Sequence, residues 1–332
     1  MLVKGLAWWT PLLLLSVWGD VAHAVQTEPI ARLVHEKRFG EARRAIEARL
    51  ARDATDPVAL AASVDLRIAR SGPDDLLQAR AEAERCVRAH SDSSPCAEAL
   101  GNALTAQSRA GGAIALVRNA RATRDALERA LRFDPMNYRA RVALMRFYLD
   151  TPFFLGGSEV RARELATEAR YTDPDLTRLM RAMVAFDEGK RDEAEQHILA
   201  ADLREYVLVQ CSQRVLLLTL ATAHLDAGRH AQSSRLFQEL SRRLPSSELG
   251  AYGLALVARA QGRLADAALH LEKAASIAPR PYVYKTLGEV HEARHDQPRA
   301  IAAYQAALTG VPPLARGDQA QVTAHLAQLR RH

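Results

Sequence analysis

His291-Glu292-Ala293-Arg294-His295 has the spacing H-E-x-x-H. On a continuous helix, two imidazoles four residues apart share a face and can hold a zinc ion. The glutamate between them can then act as general base on a zinc-bound water. That chemistry would be metal-assisted hydrolysis of a peptide bond. A catalytic zinc needs a third protein ligand as well, and neither an H-x-x-G-x-x-H extension nor a glutamate helix follows in this chain. The remaining histidines, among them His35, His90, His197, His230 and His270, are scattered. The sequence has no P-loop, dinucleotide fingerprint, nucleophile elbow or clustered C-x-x-C, so it nominates no nucleophile and implies no cofactor.

What the motif could do depends on the element that carries it. The chain has 332 residues, 48% apolar and 25% charged, enough apolar surface for a substantial core and too balanced for a disordered chain. Aromatics are only 5%, with Ala and Leu dominating the apolar set, which disfavours a β-sandwich or barrel and favours helices. The formal charge is +6, spread along the chain and carried mostly by Arg. No run of like charges is interleaved with stacking aromatics, so a nucleic-acid partner is not expected.

A small residue, an apolar residue four later, a small or apolar residue three after that and a Pro about five further on recur through the chain. The clearest copy is Ala267, Leu271, Ala274 and Pro279. Ser233, Phe237, Leu240 and Pro245 precede it, and Ala300, Tyr304, Ala307 and Pro312 follow. Upstream stand Ala162, Ala166, Ala169 and Pro174, then Thr123, Leu127, Ala130 and Pro135. Ala79, Ala83 and Cys86 mark an earlier copy, Ala42 and Ile46 the first. Before each core pattern comes Leu beside a small residue, as in Leu100-Gly101, Leu220-Ala221, Leu254-Ala255 and Leu287-Gly288. Turn glycines such as Gly189, Gly228 and Gly262 lie between. Small residues at fixed offsets let two antiparallel helices approach closely, and Pro ends the second helix by removing a donor and clashing with the preceding turn. A single hairpin leaves an apolar face uncovered, and stacking covers it.

This pattern resembles the tetratricopeptide repeat, near consensus from about 214 to 312 and degenerate back to about 26, roughly eight units in all. The resemblance implies an all-α, right-handed superhelical solenoid of antiparallel helix hairpins over 25–314 and a protein-binding role with no named ligand. Within this frame His291 takes the inner position that His224 and Ala258 hold in the two preceding units. His295 falls where its neighbours have the turn glycine, so the helix is expected to end before it, and the zinc site remains a remote alternative.

Two departures from the period stand out. The interval Pro135 to Pro174 is five residues too long, and the excess falls at Thr151 to Ser158, where Phe153, Phe154, Leu155, Gly156 and Gly157 read either as a tolerated insertion or as a lip presented to a partner. A second expanded loop is expected at Gly111-Gly112. At the end, Val322, Leu326 and Leu329 have helical spacing and predict a capping helix within 315–332.

The resemblance further implies that first helices line a concave groove. The inward positions read Val142 and Arg146, then Leu179, Met183 and Phe186, then Leu218, Thr222 and Leu225, then Tyr252, Leu256 and Arg259, then Lys285, Glu289 and Glu292. The middle is apolar and the ends polar. A clamp for a C-terminal carboxylate would need Lys, Asn and Arg on successive first helices, and Leu, Met and Tyr stand there instead. A peptide with apolar anchors, oriented by Arg and Lys at the rim, fits better. Alternatively, about half of these residues simply pack between hairpins.

The N-terminus predicts export. Lys4, an apolar core of about 13 residues from Leu6 to Trp18, and Ala22-His23-Ala24 read as a signal peptide over 1–24 with cleavage before Val25. The core is shorter than the roughly 20 residues of a membrane-spanning helix, and no lipid-anchor cysteine follows it. Removing Lys4 and Asp20 leaves the charge at +6. The expectation is a bacterial periplasmic or secreted scaffold, monomeric or weakly associating, that is not an enzyme and holds a protein or peptide. A basic scaffold for an anionic envelope surface is the alternative. In an oxidising compartment, Cys86 and Cys96 are near enough for a disulfide, although Cys86 also suits a buried packing position, and Cys211 has no evident partner.

Overall fold

The computed structural model describes residues 29–168, 173–203, 209–311 and 313–330. The expected signal peptide, Ala169 and Pro312 lie outside these residues, as does the side chain of Cys211. All regular structure among the described residues is helical. The helices are α1 (29–35), α2 (Phe39–Leu50), α3 (Pro57–Arg70), α4 (Pro73–Ala89), α5 (Ser94–Phe133), α6 (Tyr138–Asp150) and α7 (Glu159–Glu168). They continue with α8 (Pro174–Asp187), α9 (Arg191–Ala200), α10 (Gln210–Asp226), α11 (His230–Arg243), α12 (Leu249–Ala260), α13 (Leu264–Ile277), α14 (Pro281–Ala293), α15 (Gln297–Thr309) and α16 (Arg316–Leu329). A short 3-10 turn, Phe153–Leu155, lies between α6 and α7. The chain divides into two units within α8: the first runs to Met180 and includes Val209, the second takes up Arg181–Leu203 and the residues from Gln210 onward.

The repeated small and apolar positions form the core. Ala42, Ala79, Ala83, Leu127, Ala130, Ala162, Ser233, Leu240, Ala267, Leu271, Ala274, Ala300, Tyr304 and Ala307 have no exposed surface, and Thr123, Ala166 and Phe237 are also buried. In the second unit, Ala255, Ala258, Ala267, Leu271 and Ala274 pack with Val283, Leu287 and Val290, joining α12, α13 and α14 through one apolar cluster. Ala300, Tyr304 and Ala307 of α15 meet Val322 and Leu326 of α16 in another, with Leu329 partly buried beside it.

The local signals at the helix ends are conventional. Asp56 caps α3 by accepting from the amides of Val58 (2.9 Å) and Ala59 (3.0 Å), with Pro57 at the first helical position. Asn137 caps α6 through the Ala140 amide at 2.9 Å. Five turns share one hydrogen-bond pattern. Lys37, Gly189, Gly228, Gly262 and His295, all at positive φ (59°, 75°, 70°, 72° and 59°), donate to Val34, Phe186, Leu225, Arg259 and Glu292, and the next residue donates to Leu33, Ala185, His224, Ala258 and His291. This is the left-handed helix stop that glycine favours, and it sets His291, His224 and Ala258 in equivalent positions.

Gly111-Gly112 forms no expanded loop. Gly112, at φ 65°, reverses the chain between two long arms of α5, and the extra residues are wound into those arms as helix. The Ser94 hydroxyl donates to the Ala130 carbonyl at 2.9 Å and Asn119 Nδ2 to Ser108 Oγ at 3.4 Å, so the arms run antiparallel. Cys86 at the end of α4 and Cys96 at the start of α5 are joined by a disulfide.

Candidate functional site

The H-E-x-x-H residues do not share a helical face. α14 ends at Ala293, and His295 sits beyond it in the left-handed turn, exposed. His291 is buried, with no partner for its Nδ1. Burial lowers its pKa, because the charged imidazolium would lose its hydration. Glu292 is occupied: it accepts from the Tyr304 hydroxyl at 2.7 Å and lies 3.0 Å from His325 Nδ1. Burial, followed by the bond to Glu292, drives the Tyr304 pKa upward. These residues tie α14, α15 and α16 together.

Among the described residues, one histidine and carboxylate group brings its ligand atoms within 4.8 Å of one another: Asp192, Glu195 and His224. Sequence spacing gave no hint of it, because α9 and α10 supply its members. His224, fully buried, approaches Glu195 Oε2 at 3.0 Å through Nε2, and Arg235 Nη2 donates to the other oxygen of Glu195. Arg229 lies 3.6 Å from Asp192. Two guanidiniums already neutralise the two carboxylates, so the donor set suits an internal ion-pair network better than a cation. A comparable network in the first unit joins α3, α5 and α6: Arg139 contacts Asp65 at 2.6 Å and Glu98 at 2.9 Å, with Asn137 and Asn102 also donating to Glu98. Burial raises the Glu98 pKa and Arg139 opposes that rise.

The expected groove residues separate into three groups. Val142 and Leu179 are buried in the first unit and offer no surface, because they pack inside it. Arg146, Met183, Phe186, Leu218, Leu225, Tyr252, Leu256, Lys285 and Glu289 are half-buried, and Thr222 and Arg259 are exposed. The cations expected to orient a ligand already have partners. Arg259 pairs with Glu289 at 2.7 Å, Lys285 with Asp318 at 2.5 Å, and Arg146 lies 3.7 Å from Asp150. The Tyr252 hydroxyl is 3.2 Å from Thr286 Oγ1, and its ring meets Tyr282 edge-on at 4.9 Å. α12 and α14 are therefore laced together along one face by residues 252, 259, 286 and 289. Arg259 and Lys285 act here as internal fasteners, which the sequence pattern could not reveal because their partners lie some thirty residues away.

The segment between α6 and α7 is ordered by backbone bonds. The amides of Leu155 and Gly157 donate to the Pro152 carbonyl, and that of Ser158 to Tyr148 at 2.9 Å. Phe153 and Phe154 are 85% and 70% exposed and meet edge-on at 5.6 Å, Leu155 is half-buried, and Gly156 takes φ 104°.

No family model matches the chain, and no curated protein matches it. Among solved structures, yeast Tom70 is similar with a TM-score of 0.56 and 15% identity, over 89% of this chain and 59% of that one. The APC/C hetero-tetramer Cut9-Hcn1 aligns at a TM-score of 0.45 and 13% identity, over 88% of this chain and 52% of that one. A tetratricopeptide repeat protein from Parabacteroides merdae aligns at 0.40 and 13%, over 93% and 99%. The chain thus spans between half and three-fifths of the first two. At such identities the likeness concerns the fold alone. The chain is an all-α protein of paired antiparallel helices in a repeating, solenoid-like arrangement, a fold similar to that of Tom70.

Proposed function

We propose that this chain is an exported bacterial scaffold, periplasmic or secreted, that holds a protein or peptide of the cell envelope and performs no chemistry of its own. The reading is carried by one feature of the second unit: Leu218 and Leu225 on α10 and Leu256 on α12 are large apolar side chains left partly open on successive first helices, with Thr222 and Arg259 exposed among them. Partly open apolar side chains give affinity when a partner dehydrates them. An amphipathic helix or extended segment with apolar anchors is the matching ligand. The helical-repeat fold agrees with such a role. The Cys86–Cys96 disulfide supports an oxidising compartment, as does the apolar segment followed by Ala22-His23-Ala24. No helix of the described residues is long and apolar enough to cross a membrane. No cofactor or nucleic acid enters this reading, and the chain acts as a monomer or weak oligomer.

The test is an affinity capture from envelope extract with wild type beside the Leu218→Glu, Leu256→Glu variant, helical content being checked by circular dichroism. A protein retained by wild type and lost by the folded variant supports the reading. Equal retention by both overturns the apolar face as the binding surface.

A further inference from the structure

The first unit has an apolar edge built from two adjacent elements, the tip of α5 and the turn between α6 and α7. α6 runs beside the first arm of α5: Asn137 Nδ2 donates to Ser94 Oγ at 3.0 Å across 43 positions, and Ala140 packs with Ala97 at the same offset. Thr151, at the end of α6, therefore comes level with Ser108, which accepts from Asn119 where the α5 hairpin closes. The 3-10 turn Phe153–Leu155 lies against α5, and a Cβ on Gly156 would come 3.0 Å from Arg124 Nη1. Val117 and Ile114 precede Arg124 by seven and ten residues and share its helical face, so they point to the side on which the turn lies.

Ile114, Val117, Phe153, Phe154 and Val160 are each more than half exposed. Together they present on the order of 500 Å² of apolar surface, toward the upper end of what a monomer leaves open. The turns of the second unit at Gly189, Gly228, Gly262 and His295 expose no large apolar side chain. Backbone bonds within 152–158 hold the two phenylalanines in place, so a partner meets them already ordered. Charge is segregated around them: Arg118 and Arg121 stand on the α5 arm, and Asp150 and Glu159 flank the turn. Arg118 is exposed and forms no ion pair among the described residues. Arg121 lies 3.7 Å from Asp125, Asp150 3.7 Å from Arg146 and Glu159 3.6 Å from Arg163. These contacts are wider than hydrogen bonds, so all four charges can take a further partner. On the other flank of the tip, the register of Leu76 with Gln107 and of Cys86 with Cys96 sets the α3–α4 turn level with Ala110–Gly111 and brings in Asp74 and Asp75. The edge thus carries both signs and offers no uniformly charged face to a bilayer.

We propose that this edge is a two-fold contact between copies of this chain, the α5 tip of each packing Ile114 and Val117 on Phe153, Phe154 and Val160 of the other. A two-fold interface needs a surface that complements itself. Here the bases lie on one of two adjacent elements and the acids on the next. A half turn about an axis between them brings Arg118 and Arg121 of each copy to Asp150 and Glu159 of the other. With these charged side chains included, the apolar area approaches the roughly 800 Å² per partner of a standard interface, which fits a reversible dimer. The contact is separate from the α10 and α12 row and does not depend on it. A dimer carries two such rows, so a partner with two matching segments gains avidity.

The test is sedimentation of the full chain over a range of concentrations. The N-terminal apolar segment is common to all variants, so differences between them report the edge. Wild type is expected to dimerise reversibly. Ile114→Ser with Phe153→Ser, both at exposed positions, is expected to raise the dissociation constant on the order of a hundredfold with helical content unchanged. Arg118→Glu with Arg121→Glu in one chain, and Asp150→Arg with Glu159→Arg in another, are each expected to sediment as monomers, because like charges then face each other. Mixed in equal amounts, these two chains are expected to recover a dimer, since each supplies the sign the other lacks. A wild type that stays monomeric, a dimer unchanged by the apolar double variant, or charge variants that do not recover on mixing overturns the proposal. Capture of a different envelope protein by a monomeric wild type, lost in the apolar double variant, would identify another occupant and also overturn it.

Discussion

His295 has φ 59° at the position that glycine fills in the turns after α8, α10 and α12. A residue with a Cβ is strained there by about 1 kcal/mol relative to glycine. His295→Gly is therefore expected to stabilise the chain and raise its Tm by roughly 2 °C, with no change in bound zinc. A zinc ligand at this position would give the opposite result, loss of metal and of stability. His291 makes a separate prediction. Burial lowers its pKa below the ordinary 6.5, so below that value the unfolded chain binds a proton that the folded chain resists. The contribution is favourable to the fold above pH 6.5 and is lost progressively as pH falls. In urea titrations between about pH 7 and pH 5, His291→Leu is expected to flatten the decline in stability. An unchanged slope would remove His291 from the account.

At the scale of elements, the period was legible because every hairpin repeats the same requirement for small residues where its helices approach. The described core positions of each copy are indeed buried. The helix stop at His295 was legible for the same reason. Connections between hairpins were not. The networks of Arg139 with Asp65 and of Arg235 with Glu195 join residues 74 and 40 positions apart, and no local spacing marks such pairs. Gly111-Gly112 reads as a loop by composition, yet one residue at positive φ suffices to reverse the chain, leaving the rest helical. The Cys86–Cys96 disulfide depended on the angle between α4 and α5, which a sequence does not specify. Closing a loop of 10 residues restricts the unfolded chain by about 3 kcal/mol. Reduction is expected to shift the urea midpoint of the first unit downward, whereas an unchanged midpoint on reduction would mean that this bridge does not hold the unit together.

For the molecule as a whole, the fold was readable and the candidate site only partly so. Periodicity distinguishes first from second helices but not an open side chain from one covered by the next hairpin. Val142 and Leu179 are covered, and Arg259 and Lys285 are bound to carboxylates of neighbouring helices. The surface proposed to meet a partner in the second unit is the half-buried apolar row of Leu218, Leu225 and Leu256 on α10 and α12. The central claim is that this row touches another protein, and site-specific photocrosslinking in the envelope addresses it most directly. A photoreactive residue would replace Leu218 or Leu256 in separate chains, with a control at Leu269, which is 64% exposed on α13, a second helix. The account predicts adducts with the same envelope protein from Leu218 and Leu256 and none from Leu269. Adducts from Leu269 alone, or none from either first-helix position, would contradict it.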